Sequence, residues 1–141
     1  MFDFFFPSEP FGSQTLRLVA EAGQGGGDTF EIARVCREIE QGDVLGWEKS
    51  WVDKAESTEG RARKALALGN SRTAMQYFFA ANQYWRMADV FLTIERNADK
   101  AEYFKKCQEN FRAAAALHDP PIDVITVQCG DEEYDGYFCH P

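Results

Sequence analysis

The sequence is short of the groups that polar chemistry relies on. Its only histidines are His118 and His140, and its cysteines are Cys36, Cys107, Cys129 and Cys139. No two cysteines form a CxxC pair and neither histidine has ligand spacing to them, so no metal is expected and the cysteines read as free thiols. A GxGxxG fingerprint is missing, and the stretch Gln24-Gly25-Gly26-Gly27 follows no predicted strand. A phosphate cradle is therefore not expected, and no cofactor is. A G-x-S-x-G nucleophile turn is also missing. Of Ser8, Ser13, Ser50, Ser57 and Ser71, the nearest approaches are Gly12-Ser13 and Asn70-Ser71, which read as helix caps. On one helix, Cys107 and His118 stand ~16 Å apart along the axis, too far for a catalytic pair. No catalytic residue is expected in this chain.

Positive charge is scarce too. The net charge of −8 lacks the basic patch that a nucleic-acid binder needs. No apolar run approaches the ~20 residues of a membrane span. The start, Met1-Phe2-Asp3-Phe4-Phe5-Phe6-Pro7, is too short for a signal peptide and has no positive flank. With free thiols, these absences predict a cytoplasmic protein that binds neither nucleic acid nor membrane.

What is present is apolar bulk. The 141 residues are 45% hydrophobic and 14% aromatic, twelve of them Phe, which is enough for one core. Charge divides the chain near Asp119-Pro120-Pro121. Residues 1–118 carry 17 acids and 15 bases, whereas residues 119–141 carry six acids and no Lys or Arg. Residues 1–12 read as an aromatic arm, and Ser13 caps a short helix to about Ala22. Asp28 with Glu31 makes a capping-box-like start for a helix to about Glu40, its apolar positions being Phe30, Ala33, Val35, Cys36 and Ile39. Asp43 caps a long helix over 44–68, with Trp47, Trp51 and Ala55 on one face and a kink expected at Gly60. The most apolar helix, 71–93, carries Ala74, Tyr77, Phe78, Ala81, Tyr84, Trp85, Ala88, Phe91 and Leu92. A last helix, 98–117, carries Ala101, Phe104, Cys107, Phe111, Ala114, Ala115 and Leu117.

After Pro120-Pro121 the pattern changes. Ile122 to Val127 is β-branched and reads as a strand, Gly130-Asp131 as a turn, and Tyr134 to Cys139 as a second strand. An isolated hairpin is marginal in water. It either lies on the helices or is the first edge of a sheet belonging to further chain, and the second reading is preferred. The fold class expected is mainly α: a bundle of four to five helices and then a C-terminal β-hairpin.

Three stretches carry a resemblance. The first is Gly42-Asp43 followed by Trp47, Trp51 and Ala55. The second is Tyr77 to Leu92, with Ala80, Asn82, Tyr84, Arg86, Ala88 and Phe91. The third is Leu117 to Pro141, with Asp119-Pro120-Pro121-Ile122, Gly130, Gly136-Tyr137-Phe138 and Pro141. In order and spacing, over residues 16–141, the chain resembles the helical N-terminal region of two-domain α/β-hydrolases typified by dihydropseudooxynicotine hydrolase. The fungal polyketide-shortening hydrolases and FrsA-like esterases are similar. The resemblance implies a helical cap domain over 1–118, then a junction and the first hairpin of an α/β-hydrolase domain over 119–141. It implies Ser-His-Asp chemistry located outside this chain, cutting a C–C bond in a ketone or polyketide-like substrate, or an ester. The partners implied are the C-terminal α/β-hydrolase domain of the same parent and a small carbonyl substrate; homodimer formation stays open.

On the helix from 71 to 93, Phe78, Asn82 and Trp85 fall on one side at i, i+4 and i+7. A polar Asn among rings suits a pocket that reads a carbonyl or hydroxyl, so these three are the candidate substrate-binding residues, beside the alternative of a satisfied core Asn. Trp47 and Trp51 read as helix–helix core, Arg61-Ala62-Arg63-Lys64 as a solvated face, and Asp131-Glu132-Glu133 as an exposed turn. The alternative function is a tetratricopeptide-like interaction module, suggested by Ala74, Ala81 and Ala88 followed by Ala101 to Ala115. It lacks a clean 34-residue repeat, and a terminal hairpin is foreign to it.

Overall fold

The structure, a computed structural model, describes residues 5–7 and 9–141. Five α-helices and a C-terminal antiparallel hairpin make up these residues, as the periodicities predict. The helices are α1 (Glu9–Glu21), α2 (Thr29–Arg37), α3 (Val44–Ala67), α4 (Ser71–Asp89) and α5 (Asn97–Ala115). A wide π-type turn, Ala22–Gly26, follows α1, and a 3-10 turn, Ile94–Arg96, precedes α5. The strands are β1 (Asp123–Cys129) and β2 (Glu132–Phe138).

Local chemistry explains several boundaries. Asp28 accepts a bond from the Glu31 amide at 2.8 Å and starts α2. Asp43 does the same for the Gly46 amide at 2.9 Å and starts α3. A Cβ on Gly46 would stand 2.2 Å from the Asp43 carboxylate, so the glycine leaves room for the cap. In the hairpin Gly130, at φ 64°, supplies the positive dihedral of a two-residue turn, and Cys129 pairs with Glu132 across it.

α4 lies at the centre, packed against α3 on one side and α5 on the other. The main core gathers Leu18, Ile32, Trp47, Trp51, Tyr84 and Met87, all fully buried. The Trp47 indole donates to the Met87 carbonyl at 2.7 Å and so ties α3 to α4. Two buried carboxylates of α3 bind the same bundle. Glu59 accepts from Trp85 of α4 and Asn110 of α5, as well as from Arg63. Glu48 takes a two-pronged bond from Arg96, at 2.8 and 2.7 Å, and a third from the Tyr103 hydroxyl at 2.9 Å.

Several sequence expectations need correction. α1 begins at Glu9, so Ser13 is not a cap; it lies inside the helix and donates to the Pro10 carbonyl at 3.2 Å. The expected aromatic arm falls partly outside the described residues, at 1–4 and 8, but Phe6 and Phe11 are core residues. Phe11 packs 4.6 Å from Trp47 and 5.0 Å from Phe91, which follows α4. Phe30 is 80% exposed, and Ile32 takes the buried position on α2. A helix can bury one stripe against its neighbour, and Ile32 and Cys36 form it, with Ile39 buried just beyond the helix. Phe104 is exposed for the same reason on α5. α3 runs unbroken through Gly60, because one glycine removes no backbone hydrogen bond.

The hairpin touches the bundle along one face. Ile122 donates its amide to the Ala115 carbonyl at 3.0 Å, Tyr137 packs 4.6 Å from Phe111, and Asp135 pairs with Arg112. Alternation then turns Ile125, Val127, Tyr134 and Phe138 to the opposite face, where each stays at least 41% exposed.

Candidate functional site

A cleft of about 550 Å³ lies where the Ala22–Gly26 turn and the start of α2 meet α3 and α4. Tyr84 is its deepest aromatic. The ring is buried against Trp51, 5.6 Å away, and the hydroxyl reaches the turn. A Cβ on Gly27 would stand 2.6 Å from that hydroxyl, so only glycine allows the approach, and its φ of 136° favours glycine as well. The Asp28 amide donates to the Tyr84 hydroxyl at 3.4 Å. Burial pushes the Tyr84 phenol up to about 12, so it keeps its proton at neutral pH and can donate it.

Thr58 borders the same cleft from α3. It is 1% exposed, and its hydroxyl has no partner among the described residues. The rim is charged, and Glu31 and Arg61 on it are paired with each other. Glu31 takes Lys54 and, at 2.8 Å, Arg61. Arg61 also donates to the Tyr77 hydroxyl at 2.6 Å, with its guanidinium 4.3 Å from that ring. Burial would raise the Glu31 carboxyl, but the bonds from Lys54 and Arg61 outweigh it and hold the group below its ordinary value. No serine, cysteine or histidine is among the described residues that border this cleft.

The sequence-predicted residues lie elsewhere on α4. Phe78, Asn82 and Trp85 share one side, as their spacing requires, and are 3%, 9% and 3% exposed. Phe78 packs with Ala62, Ala65, Ala74 and Ala114. Asn82 donates to the Cys107 carbonyl and sulfur, both at 2.9 Å. The Trp85 indole donates to Glu59 at 3.2 Å, and its ring lies 5.5 Å from Tyr103. No described cavity is bordered by all three. Asn82 borders a space of about 190 Å³ with Phe79 and Gln83, Trp85 borders another of about 210 Å³ with Glu59 and Arg63, and Phe78 borders neither.

Sequence reasoning missed Thr58 and the hydroxyl of Tyr84. The signal was there: 47, 51, 55 and 58 make one helical stripe, so a threonine succeeds two tryptophans and an alanine on a buried face. All four cysteines are free. Burial pushes the Cys36 thiol up to about 11 and raises Cys107 as well, which suits packing rather than nucleophilic attack. His118 donates from Nδ1 to the Pro120 carbonyl at 2.7 Å, and His140 meets Asp123. Among the described residues no cluster of three or more His, Cys, Asp or Glu could hold a metal ion, and no helix is long and apolar enough to cross a membrane.

The homologues of this chain are fungal hydrolases. Hydrolase ORFZ of Pyricularia oryzae is 28% identical over 127 residues, 87% of this chain and 30% of the relative. Hydrolase acrC of Aspergillus aculeatus is 32% identical over 88 residues, 62% of this chain and 21% of the relative. The alpha/beta hydrolase ucsC of an Acremonium species is 23% identical over 133 residues, 92% of this chain and 27% of the relative. The chain thus spans less than a third of the length of these curated relatives. No family model matches it.

Proposed function

We propose that this chain is the helical cap portion of a serine α/β-hydrolase, covering an active site built by a C-terminal α/β domain of the same parent. The observation that carries this reading is the hairpin. Ile125, Val127, Tyr134 and Phe138 present an apolar strand face away from the bundle, in a chain whose homologues are hydrolases more than three times as long as the part it matches. A two-stranded sheet with such a face is poorly stable alone and well suited to continue into a larger sheet. On this reading residues 1–118 form the cap, and 119–141 the junction and first hairpin. The chemistry is cleavage of a C–C bond in a ketone or polyketide-like substrate, or of an ester. A serine outside this chain attacks the carbonyl, a histidine carries the proton, and backbone amides hold the oxyanion. The cap shapes which substrate enters. Phe78, Asn82 and Trp85 are its substrate-facing residues as the sequence assigns them; their burial supports a packing role and turns attention to the Thr58–Tyr84 cleft.

The test compares the 141-residue chain with the product of the whole reading frame, on a p-nitrophenyl ester and on a β-diketone. Turnover is expected only from the longer product, with loss on treatment with a serine-directed sulfonyl fluoride. Turnover by the 141-residue chain, abolished on replacing one of its serines, would overturn the reading. So would a longer product that consists of further helical repeats.

A further inference from the structure

We propose that the Ala22–Gly26 turn is a strap that swings on its glycines and, when it lifts, joins the cleft to the smaller cavity beside it on α4. Its place is the first observation. The turn lies on α4 with a cavity on either side. Gln76, Ala80 and Tyr84 wall the cleft of about 550 Å³. Phe79 and Gln83, the neighbouring row of the same helix, wall the cavity of about 190 Å³. Gly25 borders both, so this stretch of backbone separates them.

The second observation is how little holds it. Residues 22–27 read Ala-Gly-Gln-Gly-Gly-Gly, with one side chain longer than a methyl, and that one, Gln24, is exposed. A segment so poor in side chains gains little from packing and opens at low cost. A Cβ on Gly23 or Gly25 would meet nothing within 4 Å, so open space adjoins the span. Gly26, its one buried residue, closes on Glu21, whose carbonyl oxygen a Cβ would approach to 2.9 Å. The described polar ties to α4 stand at the two ends. Glu21 pairs with Arg86 at 3.2 Å, and the Asp28 amide donates to the Tyr84 hydroxyl at 3.4 Å, which is long for a hydrogen bond. Gly25 at φ 97° and Gly27 at φ 136° hold dihedrals that glycine leaves at little cost, so they are the hinges and Tyr84 is the latch.

Phe111 borders the smaller cavity and packs on Tyr137 of β2, so the passage runs from the α2 and α3 side of the bundle toward the hairpin. On the cap reading that is the side where the α/β domain joins. Use of the passage by a hydrolase rests on that reading; the swing does not.

The test is NMR relaxation dispersion on the isotopically labelled 141-residue chain, which reads motion in the μs–ms range. One shared exchange rate is expected at Gly23 and Gly25, at Ala80 in the cleft and at Gln83 in the smaller cavity. Tyr84→Phe removes the latch and is expected to raise the open population about three- to tenfold, one hydrogen bond's worth, with the dispersed spectrum of the fold retained. Gly23→Ala fits the open space, stiffens the strap and is expected to lower that population about two- to fivefold. Flat profiles in both the parent chain and Tyr84→Phe would overturn the proposal. So would exchange confined to the strap and silent at Ala80 and Gln83, because the segment would then fray without opening a passage. Tyr84→Phe raising exchange equally along α3 would overturn it too, as loosening of the whole bundle. No turnover is read, so an inactive parent enzyme and a fixed strap give separable results.

Discussion

Trp85 shows how one residue carries two readings until its surroundings are known. By spacing it stands beside Asn82 on the most apolar helix, which suits a pocket wall. In the structure its indole nitrogen is bonded to a buried carboxylate and its ring lies against Tyr103. Truncation then empties a packed space and removes a donor from Glu59. Trp85→Ala is expected to lose ~3–5 kcal/mol of stability, read by urea unfolding. A substrate-facing Trp85 would behave differently: stability would change little, and the full-length enzyme would change its KM or specificity. Both measurements on one variant separate the roles. Asn82 was legible as a polar residue among rings, but its bonds to Cys107 come from a different helix, 25 positions away, and no local pattern predicts them.

The helices obey their caps more closely than their glycines. Asp28 and Asp43 were both readable as N-caps, and both accept the amide three residues on. α3 carries Trp47, Trp51, Ala55 and Thr58 on its buried stripe, so its register positions the main core and one wall of the cleft. Asp43→Ala leaves the Gly46 amide without its partner and is expected to cost ~1 kcal/mol, measured as a lower urea midpoint with unchanged slope. Gly60 misled because propensity weighs each residue alone, whereas α3 is held by packing along its length. Ser13 misled in the opposite way: its capping chemistry is real, but Pro10 is tolerated in the first helical turn, and α1 had already begun.

Over the molecule as a whole, stability is tied to acid groups of α2 and α3. Burial would raise the Glu59 carboxyl, but Arg63, Asn110 and Trp85 outweigh it and hold the group below its ordinary 4.5. Glu31 is lowered in the same sense by Lys54 and Arg61. A carboxyl lowered in the folded state binds fewer protons there than when unfolded, so its contribution is complete above pH 4.5 and is lost as pH falls through the folded values. Unfolding free energy is expected to fall as the pH drops below 4.5, and Glu31→Gln with Glu59→Gln to flatten that slope. An unchanged slope in the double variant would assign the acid sensitivity to other groups.

Periodicity, caps and the β-branched run after Pro120-Pro121 were enough to read four to five helices and a hairpin, because those signals are local and each repeats along the chain. The hydrolase resemblance was likewise legible in ordered motifs, and the homologues are hydrolases. What the chain alone left open was which face of α4 meets a neighbour and which meets a cavity. Tyr77, Tyr84, Phe78 and Trp85 are all large rings on one apolar helix, and nothing in their order separates wall from core. That choice was made by how α3, α5 and the Ala22–Gly26 turn each dock on α4, with Gly27 bringing backbone to the Tyr84 hydroxyl. Contacts across 26 to 57 positions depend on how whole helices dock, and docking is a property of paired surfaces that neither sequence segment carries by itself.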